Sequence, residues 1–240
     1  MSGHNRWSTI KHKKAATDAK KSRSWTKLIK EISVAARSGG DPSGNPRLRT
    51  AIDKGRAVNI PADTIDRAIK KGTGELGSDS VEELVYQAYG PGGVAIVIEI
   101  ATDNRNRTAS ELRKLLERQN AKIDPSGSVL HKFKKRGQIL FDAEKFTEDA
   151  VTEVALEAGA DDVRNAGETI VVLTEPGACQ DVKEAFEKKG MTPLDAEVGM
   201  LPELTVEISG KDAEQINKLV SALEEHDDVM NVYTNHEEAA

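Results

Sequence analysis

The chain has 240 residues, is 38% hydrophobic and only 4% aromatic, so its cores should consist mainly of Ile, Val, Leu and Ala. Its apolar groups fall well short of the roughly 18 residues that span a bilayer, and its start lacks the apolar stretch of a secretory signal, which predicts a cytoplasmic protein without a membrane partner. The single Cys179 excludes an intramolecular disulfide and a Cys-based zinc site.

The formal charge of −6 conceals a strong asymmetry along the sequence. Residues 1–30 carry nine basic side chains against one acid, a net charge of +8, and residues 1–75 carry 17 against 7, a net charge of +10. Residues 137–240 carry 7 basic and 25 acidic residues, a net charge of −18. Charge sorted in this way predicts that the basic end faces a polyanion.

The first third of the chain reads as a small helical domain, residues 1–78. Residues 1–22 are polar and weakly periodic, so we expect either a helix or a segment that orders on binding. Residues 23–38 repeat apolar positions at steps of three and four, which predicts a helix ended by Gly39. Asn45 followed by Pro46 predicts the start of a second helix, and a third should run from about Pro61 to Gly72.

After residue 77 the periodicity changes to that of an α+β domain. Strands are predicted at 84–89 and 94–101, joined by a glycine-rich turn, followed by a helix at 106–119 and a strand at 128–133. Near the C-terminus a further β-α-β unit is expected to complete an antiparallel sheet with two helices. We therefore predict a middle α+β domain from residues 79–134 plus 203–240.

Between these two parts, residues 135–202 form a unit of their own. Its expected strands, helices and hairpin follow the order β-α-β-β-α-β, the ferredoxin-like arrangement. The fold class is therefore a multidomain α+β protein: an N-terminal three-helix domain, a middle α+β domain, and an acidic ferredoxin-like domain inserted in the middle one. A tandem arrangement is the alternative.

Enzyme signatures are absent from the sequence. There is no phosphate-binding glycine loop followed by lysine and no His-Glu-x-x-His, and the five histidines are scattered. Cys179 lies near a predicted helix start but has no evident base, so we expect a structural thiol. The acidic pair Asp227-Asp228 is expected to be a turn or cap on a solvated face. The chain is predicted to be non-enzymatic, with no metal, cofactor or small-molecule substrate.

The basic N-terminus is the best candidate for a binding site. Its lysines could follow a phosphate backbone and release counterions, and one acid among nine bases argues against a merely solubilising tail. Trp7 could stack on an unpaired base, whereas the spacing of Trp25 favours a core position.

Two other segments could extend the basic surface. The loop from Thr102 to Thr108 contains Arg105 and Arg107 and could bind phosphate at a helix N-terminus, or could simply cap that helix. The basic run at 132–136 is expected to be a solvated hinge between domains.

Several motifs resemble those of the YebC/PmpR family across essentially the whole chain. They include Gly3-His4-Asn5-Arg6-Trp7, residues 63–72 (DTIDRAIKKG), residues 89–94 (YGPGGV), residues 102–108 (TDNRNRT) and Asn231-Val232-Tyr233-Thr234-Asn235. The resemblance implies three domains with the third inserted in the second. It also implies a regulator of gene expression, since family members are described as transcriptional regulators that bind promoter DNA or as translational activators at the ribosome.

We therefore expect a nucleic-acid-binding regulator, with DNA or ribosomal RNA as its partner. A protein-interaction adaptor whose basic tail is incidental is the alternative. No predicted helix clusters Arg, Asn and Gln for base edges, which favours binding by shape and phosphate. The predicted nucleic-acid-binding residues are Arg6, Trp7, Lys11, His12, Lys13, Lys14, Lys20, Lys21, Arg23, Lys27, Arg47, Arg49, Lys54, Arg56, Arg105 and Arg107.

Overall fold

A computed structural model of the protein describes residues 19–77 and 81–239, with the backbone alone for residues 19–24. The chain is α+β and forms two compact units. The first, here the N-terminal unit, comprises residues 19–129 and Ile208–Thr234. The second, here the acidic unit, comprises Leu130–Glu207 and residues 235–239. The predicted boundaries between three domains stay a prediction.

The N-terminal unit begins with three helices, α1 (Ala19–Ala36), α2 (Pro46–Ala57) and α3 (Ala62–Gly72). Their apolar faces meet in one core. Trp25 is partly buried and packs against this core, and its indole Nε1 donates to the carbonyl of Val58 at 3.1 Å, so the prediction that it faces the core is confirmed. The principal members of the core are Ile32, Ala35, Leu48, Ala51, Ile52, Ile60, Ile65 and Ala68.

Asn45 joins the end of α1 to the start of α2, as its place before Pro46 suggested. Its side-chain oxygen accepts from the Leu48 amide at 3.1 Å, which confirms the predicted N-cap. Its amide nitrogen donates to the carbonyls of Ala35 and Gly39, both at 2.8 Å. One buried side chain therefore satisfies backbone groups at two helix ends.

A four-stranded antiparallel sheet of order β3-β1-β2-β9 completes the N-terminal unit. In the sequence, helix α4 follows β2 and helix α7 precedes β9. In space, Ile96 of β2 lies beside Ile216 of α7. The bounds are β1 (Glu82–Tyr89), β2 (Ala95–Thr102), α4 (Arg105–Arg118), β3 (Lys122–Ile123), α7 (Gly210–Glu224) and β9 (Val229–Thr234).

The acidic unit contains a second antiparallel sheet, of order β5-β6-β4-β7, with its elements in the order β-α-β-β-α-β. Ile139, Phe141 and Phe186 are buried in its main core, and the rings of Phe141 and Phe186 contact each other at a tilt of 46°, with centroids 4.5 Å apart. The bounds are β4 (Phe133–Asp142), α5 (Glu148–Ala158), β5 (Asp162–Asn165), β6 (Thr169–Thr174), α6 (Cys179–Lys188) and β7 (Asp195–Pro202).

Two strand predictions were wrong. Residues 128–132 form a turn and a short 3-10 segment, and the third strand of the first sheet is Lys122–Ile123, too short to show a period. The last strand of the acidic unit runs over Asp195–Pro202, and Met191 before it packs into the unit's core. Of the β-α-β unit expected to complete the first sheet, only the second strand does so. Its first strand, β8 (Val206–Ile208), pairs with β10 (His236–Glu238) and not with the four-stranded sheet.

The basic run at 132–136 is not a hinge, because strand β4 begins within it. Lys134 and Arg136 occupy ladder positions opposite Leu201 and Gly199 of β7. Lys134 pairs with Glu203, and Arg136 pairs with Asp161 and Glu175. Cross-strand pairing therefore fixes this segment within the sheet.

Candidate nucleic-acid interface

The most basic part of the predicted site lies outside the described residues. It consists of Arg6, Trp7, Lys11, His12, Lys13 and Lys14. Lys20, Lys21 and Arg23 lie in α1 by their backbone.

Helix α1 uses two of its lysines to attach to the turn after α7. The ammonium group of Lys27 donates to the carbonyl of Glu224 at 2.6 Å. Lys30 donates to the carbonyl of Asp227 at 3.0 Å and forms an ion pair with Asp228. Lys27, a predicted phosphate ligand, is thus engaged in holding α1 against the α+β part of its own unit.

Asp228 is the centre of a buried network between α1, β2, α4 and the end of α7. Its carboxylate accepts from Thr108 at 2.5 Å, Thr102 at 3.3 Å and Arg107 at 3.0 Å, besides Lys30. Burial on its own would raise the pKa of Asp228, but the hydrogen bonds from Lys30, Thr108 and Arg107 hold it well below its usual range. The carboxylate is therefore ionised, and its oxygens are engaged by side chains of its own unit.

This network corrects the expectation that Asp228 lies on a solvated face, since the residue is only 2% exposed. Its partner Lys30 is 198 positions away in the chain. In the sequence, acidic residues near the end of a helix indicate a turn. A local pattern of this kind cannot indicate an ion pair with a residue that is so distant in the chain. Asp228 and Lys30 are thus structural residues that reasoning from sequence missed.

Of the four predicted cations on helix α2, two pair with acids of other elements and two are largely exposed. Arg47 pairs with Glu83 of β1, and this carboxylate raises the pKa of the Arg47 guanidinium further. Lys54 pairs with Glu31 of α1 at 3.2 Å. Arg56 lies 3.8 Å from Asp53 with most of its side chain exposed, and Arg49 is exposed without an ion pair to another described residue. Arg49 and Arg56 are the cations of this helix most available to a ligand.

The loop between β2 and α4 is first a helix cap. The Asn104 side chain accepts from the Arg107 amide at 3.0 Å, and the Thr102 hydroxyl accepts from the Asn104 amide at 3.0 Å, so the capping interpretation is confirmed. Asp103 lies between Lys71 of α3, at 3.4 Å, and Arg107, at 3.3 Å. Arg105 is exposed and makes no ion pair with another described residue.

Glu111, His226 and Asp228 bring potential metal-binding atoms within 4.8 Å of one another. His226 Nε2 is 2.9 Å from a Glu111 oxygen, and its Nδ1 accepts from the Asp228 amide at 3.1 Å. Both ring nitrogens are therefore engaged, and Asp228 already faces two cationic side chains, which would repel a metal ion. The arrangement is a hydrogen-bond network that closes the turn after α7.

Cys179 is buried at the start of α6, and its thiol lies 3.7 Å from the carbonyl of Glu197. Burial raises the pKa of the thiol, so it stays protonated at neutral pH. A buried, neutral thiol lacks the properties of an activated nucleophile.

Comparison with known proteins places the whole arrangement in one family. Residues 5–75 match the model of the TACO1/YebC N-terminal domain, and residues 81–236 match that of the TACO1/YebC second and third domain. The chain is 53% identical to a protein of Geobacter sulfurreducens, over 98% of this chain and 95% of the relative. It is 50% identical to one of Treponema pallidum, over 98% and 96%. Both relatives carry the name "probable transcriptional regulatory protein".

The fold has a solved counterpart of similar size. The crystal structure of a conserved hypothetical protein from Aquifex aeolicus aligns with a TM-score of 0.84 at 41% identity, over 94% of both chains. Among the residues that the structure describes, no helix has the length and apolar character needed to cross a bilayer.

Proposed function

The chain belongs to the TACO1/YebC family, and from that premise we propose that it is a non-enzymatic regulator of gene expression that holds the phosphate backbone of a folded nucleic acid. The observation that carries the proposal is the sorting of charge between parts of the fold. Residues 19–77, which contain α1 to α3, carry 13 basic and 6 acidic residues, a net charge of +7. The acidic unit carries 9 and 19, a net charge of −10.

Contacts to phosphate and shape suit these helices better than contacts to bases. Helices α1, α2 and α3 contain no Asn or Gln, the side chains that pair with adenine in the major groove. Their available cations, such as Arg49 and Arg56, can bind phosphate without reading sequence. We therefore favour folded RNA, such as ribosomal RNA, over promoter DNA as the ligand, and translation as the regulated step.

Transcription regulation is the second candidate, and the names of the relatives favour it. Under either candidate we propose a cytoplasmic protein of three domains, with residues 135–202 inserted in the middle one. The basic N-terminal domain would make the primary contact, and the acidic domain would repel phosphate because like charges repel.

Fractionation of a cell lysate on a sucrose gradient separates the two candidates. A translational role predicts that the protein sediments with ribosomes and returns to the top of the gradient after treatment with ribonuclease. A transcriptional role predicts that it follows nucleoid DNA and is released by deoxyribonuclease instead. A protein that stays at the top of the gradient without either treatment would contradict both.

Binding to a purified nucleic acid tests the adaptor alternative. If 6 to 10 phosphates are engaged, affinity should fall about 10³- to 10⁵-fold between 50 and 200 mM salt. Deletion of residues 1–22 should greatly reduce that affinity and flatten the salt response. An adaptor would show weak binding that responds little to salt, and the deletion would leave its protein partner bound.

A further inference from the structure

Helix α4 carries a group of exposed cations that the predicted site did not include. Arg113, Lys114 and Arg118 are exposed, and none makes an ion pair with another described residue. The buried side of the same helix consists of Thr108, Leu112 and Leu116, so the three cations lie on the face directed away from the unit's core.

The N-terminal end of α4 continues this surface onto α3. Asp103 bridges Lys71, in the last turn of α3, and Arg107, in the first turn of α4. Two unpaired exposed cations, Lys70 and Arg105, flank the bridge. We call Lys70, Arg105, Arg113, Lys114 and Arg118 the basic ridge. At 1.5 Å per residue, the part on α4 is about 20 Å long.

The unpaired state of the ridge distinguishes it from an ordinary charged surface. In the acidic unit, six of the nine cations pair with a carboxylate of the same unit, namely Lys134, Arg136, Lys145, Arg164, Lys183 and Lys189. A solvated face normally mixes both signs. On α4, by contrast, the two acids are Glu117 and Glu111, and Glu111 is already engaged with His226. They stand beside three exposed cations that make no ion pair with a described residue.

We propose that the basic ridge is a second phosphate-binding surface, which contacts the backbone of folded RNA independently of residues 1–22. This inference rests on the proposed function, because it assumes that the ligand is a nucleic acid. Charge complementarity selects the ligand: a group of unpaired cations spread over the exposed side of a helix matches the phosphates of a folded backbone, and each phosphate contact would release counterions. The ridge lies on a rigid helix, so it would fix the orientation in which the basic N-terminus meets the ligand.

The test uses the full chain and a fluorescently labelled RNA hairpin of about 20 base pairs, with binding followed by anisotropy across a salt series. The test variant combines Arg113→Gln, Lys114→Gln and Arg118→Gln. Each lost phosphate contact should reduce the slope of log K against log salt by about one, so we expect a reduction of about two to three. The matched control combines Lys135→Gln, Lys188→Gln and Lys211→Gln, which removes the same charge from exposed cations elsewhere.

The outcomes separate this inference from the proposed function. If the wild-type chain shows no salt-dependent binding, the proposed function fails first. If the wild type binds and the test variant keeps the wild-type slope, or the control loses as much slope as the test variant, the ridge is not a phosphate surface. If the test variant keeps its slope but abolishes self-association in sedimentation velocity, the ridge binds the acidic unit of a second copy, which also overturns the inference.

Discussion

At the scale of single residues, the most consequential side chain is Asp228, which holds α1 to the α+β part of its unit. We predict that Asp228→Asn lowers the free energy of unfolding by about 2 kcal/mol at pH 7. Removing one partner of a fully buried pair costs about 3–5 kcal/mol. We expect a smaller loss here because one of the cations, Arg107, has a side chain that is 46% exposed, and solvent screens its interaction with Asp228. Urea unfolding followed by Trp25 fluorescence in a Trp7→Phe background would measure it.

The pH dependence of this effect has a definite sign. The pKa of Asp228 is lower in the folded protein than in the unfolded chain. Its stabilising contribution is therefore present above the ordinary carboxyl pKa of about 3.9 and is lost as the pH falls through the folded-state value. The wild type should thus lose its advantage over Asp228→Asn only below about pH 4. Asp227→Asn, at an exposed neighbour, should leave stability unchanged, and a pH-independent difference would argue against the ion pair.

At the scale of elements, the close contact of α3 with α1 depends on Gly72. A Cβ at this position would lie 2.1 Å from the carbonyl oxygen of Ser33 and 2.7 Å from the Cβ of Ala36. We predict that Gly72→Ala destabilises the protein by about 1–3 kcal/mol, because the two helices must separate. The sign is diagnostic, since Gly→Ala within a helix otherwise stabilises by about 0.5–1 kcal/mol.

Gly44→Ala is the control for this prediction, because a Cβ there meets no atom within 4 Å. It should leave the urea midpoint near that of the wild type. If Gly72→Ala raised the midpoint, the glycine would serve only to end α3, and the helix contact would have to tolerate a methyl group.

The elements also show how far sequence reasoning reaches. Asn45-Pro46 and the spacing of Trp25 are local signals, and both predicted their structural roles correctly. Gly72 was predicted only as a helix end, because proximity to Ser33 depends on how two helices pack. Lys122–Ile123 has too few residues to show alternation, so the third strand was assigned to the wrong segment.

The candidate site was also predictable only in part. Its charge is a property of composition, so the sequence indicates a basic end without a structure. The sequence does not indicate which cations are already engaged. Lys27 binds the carbonyl of Glu224 and Arg107 binds Asp228, whereas Arg49 and Arg105 stay exposed without an ion pair to a described residue. Those distinctions arise from partners that are distant in the chain.

At the scale of the whole molecule, the acidic unit should oppose binding to phosphate. We predict that the combination Glu144→Gln, Glu153→Gln and Glu207→Gln raises the association rate with the RNA hairpin about twofold at 50 mM salt. These three side chains are exposed, and none forms an ion pair with another described residue, so the fold should not change. The repulsion acts through solvent and weakens as the Debye length falls from about 10 Å at 0.1 M salt to about 3 Å at 1 M.

Stopped-flow mixing at low and high salt would measure this effect, with the dissociation rate recorded in the same experiment. The association rates of the two proteins should converge at high salt, because only a screened, long-range force separates them. The dissociation rates should agree at every salt concentration, since short-range contacts at the basic surface set them. A faster rate that persisted at 1 M salt would mean that the acids block a contact directly. Equal rates at 50 mM would mean that the charge of −10 serves solubility alone.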